Sequence, residues 1–89
     1  MHAVVVRVKL NDLEPAREML TSAVVPRVSA APGFQAGYWT WDDGQTNGVS
    51  MVVFDSEDNA RAAADQVGAM ITEAVSLESV EVREVVASA

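Results

Sequence analysis

The sequence predicts an α+β domain in which strand, helix, strand, strand, helix and strand follow one another. Three observations carry this. Segments that alternate apolar and polar residues bracket segments with helical spacing. A turn-forming Asp43-Gly44 joins two consecutive apolar-rich segments. The 89 residues contain no cysteine and no low-complexity linker, so residues 1–89 form a single small domain.

The first strand spans residues 2–10, with Val4, Val6, Val8 and Leu10 on one face and Arg7 and Lys9 on the other. Asn11 and Glu14 make a loose capping box, and Pro15 is compatible with a first helical turn. Leu13, Ala16, Leu20, Ala23 and Val24 follow helical spacing, with Met19 at the flank. Pro26 lacks a backbone N–H and is expected to kink or end this helix near Ser22 to Val25. Pro32-Gly33 then terminates the region and opens a second strand over residues 34–42.

Asp43-Gly44 with Gln45 to Gly48 reads as a hairpin connection, since Asp-Gly tolerates positive φ. Val49 to Phe54 is a third, nearly continuous apolar strand. Asp55 or Ser56 caps a second helix whose acidic Glu57 and Asp58 suit its positive end. Ala60, Ala63, Ala64, Val67, Met70, Ile71 and Ala74 make its apolar stripe, and residues 77–86 alternate as the last strand. The order is the ferredoxin-like pattern, with an antiparallel sheet in order 4-1-3-2 and both helices on one face.

Composition narrows the function classes. The net charge of −7 disfavours nucleic acid and anionic membrane surfaces as partners. The N-terminus lacks the pattern of a signal peptide, and no apolar run approaches the ~20 residues of a membrane span. A cytoplasmic protein is expected. A lone histidine and no cysteine give no metal site.

Four of the five aromatic residues lie between Phe34 and Trp41. Strict alternation places Phe34, Ala36, Tyr38 and Thr40 on the helix-covered face, and Gly37, Trp39 and Trp41 on the bare face. With Val49, Met51 and Val53 of the third strand, Trp39 and Trp41 would form a large apolar patch. Such a patch usually marks an interface, most simply that of a two-fold homodimer. Arg7, Lys9, Glu81 and Arg83 share a face of the first and last strands, where opposite charges can pair.

Over Ala3 to Val86 the chain resembles the antibiotic biosynthesis monooxygenase-type, or dimeric α/β-barrel, family. The residues that carry the resemblance are Pro26, Pro32-Gly33-Phe34, Gly37-Tyr38-Trp39 and Val52-Val53-Phe54-Asp55-Ser56. It implies a homodimer whose sheets pair into a barrel, with any pocket between sheet and helices of each subunit. It also implies a cofactor-independent oxygenase of a small aromatic or quinol, or a member with no assigned activity. Haem-degrading members use an Asn within the first strand, a Trp on the third and a His on the second helix. Here the first strand offers no Asn before Asn11, and the other two positions are also unmatched.

The candidate pocket residues are Phe34, Tyr38, Val6, Val52 and Ala64. Tyr38 is the candidate to orient a substrate, and His2 or Arg83 to carry a proton or a charge. Each has a plainer reading: Tyr38 as a core tyrosine, His2 as a solvated chain end, Arg83 as a rim charge. Asp42-Asp43 reads as turn chemistry and Asp55 as a helix cap. Gly68 either admits a close backbone contact or opens space for a ligand. No nucleotide, hydrolase or metalloprotease motif is present, and no cofactor is expected. Two functions stay open: a cofactor-free oxygenase, and a non-catalytic dimer that binds a small ligand or serves a structural role. A void between the second helix and the sheet, lined by Tyr38, Val6, Val52 and Ala64, would favour the oxygenase, and a filled core there would remove it.

Overall fold

The computed structural model describes all 89 residues, Met1–Ala89. The elements are β1 (His2–Leu10), α1 (Leu13–Met19), a π-helical turn (Leu20–Val24), α2 (Val25–Ser29), β2 (Phe34–Trp41), β3 (Asn47–Phe54), α3 (Glu57–Asp65), α4 (Val67–Met70) and β4 (Val75–Glu84). One antiparallel sheet has the order β2-β3-β1-β4, which is the expected 4-1-3-2. The architecture is α+β and consistent with a ferredoxin-like fold.

The core lies between one sheet face and the helices. Val4, Val52 and Phe54 from the sheet cluster with Ala16, Met19, Val28 and Ala60 from the helices. Phe54 is fully buried and meets the edge of Phe34, with centroids 6.3 Å apart and planes at 82°. Small Ala16 and Ala60, both wholly buried, let the helices approach the sheet closely.

The first helical region is irregular where Pro26 is expected to kink or end it, with a π turn over Leu20–Val24, but it does not end there. Helix continues through Pro26 to Ser29. A π turn absorbs the missing donor, since Val25 N–H reaches back to the Leu20 carbonyl just before the proline. Thr21 and Ser22 hydroxyls donate to the carbonyls of Arg17 and Glu18, at 3.0 and 2.6 Å. Pro26 occupies the start of the next helical segment, where a proline is tolerated. The capping box does not form either. Asp12 takes the cap position without a side-chain cap bond, and the Asn11 amide instead donates to Glu73 O and Ser76 Oγ.

The second helical region is shorter than its apolar stripe. It breaks at Gln66 and ends at Ile71, which is extended, so Ala74 is buried from a turn rather than from a helix. Ser56 is the cap, its hydroxyl accepting Asn59 N–H at 3.2 Å, and Asp55 accepts the Asn59 amide at 2.8 Å. β4 begins at Val75, two residues earlier than its alternation indicated. In the hairpin, positive φ falls on Gln45 rather than on Gly44. Asp42 holds that turn by accepting N–H bonds from Thr46 and Asn47 and the Thr46 hydroxyl.

One irregularity decides which side chains face the helices. Phe34 pairs with Phe54, but Ala36 pairs with Val53, so Gln35 is an extra residue in β2. A one-residue bulge exchanges the two faces of everything after it. Phe34 therefore shares the helix side with Trp39 rather than with Tyr38.

Candidate functional site: a helix–sheet cavity

The bulge corrects the aromatic assignment. Trp39 and Trp41 turn toward the helices and line a cavity there, so neither lies on the bare face. Tyr38 lies on the bare face instead, opposite Met51, and is 71% exposed. It is neither a core tyrosine nor a cavity residue. A glycine leaves room for one indole: a Cβ on Gly37 would stand 2.9 Å from the Trp39 ring. Gly48, paired with Trp41, instead leaves room for Val8, whose Cγ2 would lie 3.0 Å from a Cβ there. The sequence held a signal for this: Gly37 two residues before Trp39 is space for a ring lying back along its own strand face.

The cavity encloses about 90 Å³ between sheet and helices. Val6 and Val52 line it, as the sequence indicated; Phe34, Tyr38 and Ala64 do not. Phe34 packs on Phe54 beside it, and Ala64 packs against the core. The residues that sequence reasoning missed come from the first helical region and the end of the second: Met19, Leu20, Val24, Met70 and Ile71. They are legible only as helical stripes until the fold closes them over Trp39. Gly68 supplies no close contact, since nothing lies within 4 Å of a Cβ built there.

The cavity is dry by composition. Eighteen of its 21 lining residues are hydrophobic and none is titratable. Of its few hydroxyls, that of Thr40 donates to the Val49 carbonyl at 2.6 Å. Apolar space of this kind holds no water, because a water needs several polar partners. The volume is below the roughly 150 Å³ of an apolar cavity that binds benzene, so a ligand of that size or larger enters only as the wall gives way. Met19 and Met70 in the wall are the side chains most able to yield space.

Neither of the other two acid–base candidates reaches the cavity. His2 is ordered in β1 rather than a loose chain end, and its Nε2 lies 4.0 Å from Glu57 at the start of α3. Its Nδ1 is buried without a partner. Arg83 lies on the bare side, where its Nε donates to Glu81 at 2.7 Å. The bare face otherwise carries Val49, Met51 and Val53 beside Tyr38, with Val49 and Met51 substantially exposed.

The cavity adjoins a wider concavity of about 410 Å³. The two share Leu20, Trp39, Thr40 and Trp41. The Arg17 guanidinium lies over the Trp41 ring, 4.9 Å from its centroid. No group of three or more His, Asp or Glu side chains is placed to hold a metal ion. No helix is long and apolar enough to cross a membrane. No protein-family model matches the chain, and no curated protein matches it in sequence.

Proposed function

We propose that this chain is a homodimeric binding protein for a small apolar molecule, resembling the antibiotic biosynthesis monooxygenase-type barrels. The observation that carries the reading is the apolar cavity between helices and sheet, with Trp39 and Trp41 in its wall. A concave apolar site with few polar groups is the usual form of a small-molecule pocket. The homodimer is supported by the exposed Tyr38, Val49 and Met51 on a sheet face that no helix covers.

Binding is better supported than turnover. Tyr38, His2 and Arg83 all lie outside the cavity, and no lining side chain can take a proton from a substrate. The catalytic alternative, a cofactor-free oxygenase of a small aromatic or quinol, is favoured by the dryness of the same cavity, where a substrate carbanion would escape protonation by water. The two readings part on one pair of measurements. Trp39 and Trp41 are the chain's only tryptophans, so their emission reports the cavity directly. Saturable emission changes with neutral hydroquinones or anthrones, without oxygen uptake, support binding. Oxygen uptake with saturation kinetics replaces it with the oxygenase. No emission change with any small apolar compound removes both.

A further inference from the structure

We infer that the site selects small organic acids, taking the apolar body into the cavity and holding the carboxylate at Arg17. This rests on the binding reading above and specifies its ligand class. The chain is strongly acidic, with 13 Asp and Glu against six Lys and Arg. Arg17 is the only charged residue around the outer concavity, which adjoins the inner one through Leu20, Trp39, Thr40 and Trp41. Its neighbours there are apolar or uncharged: Leu20, Thr21, Val25, Trp39 and Trp41.

Arg17 also has free capacity. Arg61 and Arg83 are bound to Glu57 and Glu81, whereas Arg17 enters no ion pair. Its guanidinium instead lies over the Trp41 ring, 4.9 Å from the centroid, and its N–H donors have no protein partner. A stacked guanidinium is a fork for a carboxylate, and a charged hydrogen bond is stronger than a neutral one. The π-helical turn puts Leu20 at the threshold, one helical turn beyond Arg17. A ligand that passes between Leu20 and Trp41 therefore has an apolar path inward and a single cation where it emerges. A neutral ligand gains only the first, and an ammonium is repelled by the second.

Hexanoate, hexanamide and hexylamine, titrated against the full chain and followed by tryptophan emission, test this. Wild type should bind hexanoate about tenfold more tightly than hexanamide and bind hexylamine least. Arg17→Met should erase the preference, so that hexanoate and hexanamide bind that variant equally, and Arg17→Lys should restore part of it. Equal affinity for acid and amide in wild type overturns the inference and leaves the binding reading standing. A preference that survives in Arg17→Met also overturns it. No binding of any of the three overturns both.

Discussion

Asp42 shows how a single exposed carboxylate can govern a turn. Backbone N–H groups of Asn47 and Thr46, then the Thr46 hydroxyl, hold it below the ordinary aspartate value of 3.8. Glu57 is likewise held below 4.5, first by hydrogen bonds from Arg61, then by its charge. For both groups the folded value is the lower one, so their contribution is present above the unfolded value and is lost as pH falls through the folded one. Asp42→Ala should therefore lower Tm at pH 7, with the difference from wild type closing toward pH 2. Thermal melts across that range check it, and a gap independent of pH would mean that the carboxylate is not the cause. Two glycines respond oppositely to alanine. Gly33 has φ +79°, and a Cβ would crowd Asp55 and Asn59, so Gly33→Ala should cost about 1–3 kcal/mol. Gly68 lies in α4 facing open space, so Gly68→Ala should stabilise by about 0.5–1 kcal/mol. Urea unfolding of the two variants measures both signs.

At the scale of elements, the existence and order of the strands are legible because alternation and turn chemistry are local. The orientation of β2 is not, because both of its faces are apolar and nothing local marks Gln35 as an extra residue. Either face of Phe34 to Trp41 satisfies a hydrophobic pattern, and register is weakly specified in such a strand. The bulge resolves it by pairing Phe34 with Phe54 while setting Trp41 opposite Gly48. The candidate site inherited this ambiguity. Val6, on a strand with one clear inward face, was legible as a cavity residue, and Val52 was placed there too although its strand is apolar on both faces; Tyr38 was not. Pro26 left open whether the helix kinks or ends, since a missing N–H ends an α-helix but is accommodated after a π turn. The corrected register makes a contrast testable by denaturation. Trp39→Ala should cost about 2–4 kcal/mol, because it enlarges the cavity and strips the core edge. Tyr38→Ala should leave the unfolding midpoint of dilute protein within about 0.5 kcal/mol of wild type. Equal costs would mean that β2 is not bulged at Gln35.

For the whole molecule, the core is small for what it must stabilise. Only 14 of 89 residues are buried, and the cavity removes packing from the middle of that core. With no disulfide available, association is the remaining means of burying more apolar surface. The bare face offers it unevenly. Tyr38, Val49, Met51 and Val53 occupy β2 and β3, while Arg7, Glu81 and Arg83 hold the β1–β4 side. A two-fold pairing of the β2–β3 halves would bury the apolar part and leave the Glu81–Arg83 pair at the rim. Light scattering at micromolar concentration should then give twice the 9.5 kDa chain mass. Met51→Glu would set a charge against its own copy near the axis, and should give a monomer with unchanged circular dichroism. Trp41→Glu should act differently, by disturbing the cavity wall and the Arg17 stack rather than the interface. A wild-type monomer would remove the dimer. A dimer that survives Met51→Glu would move the interface to another surface, and the exposure of Tyr38 would then need a different partner.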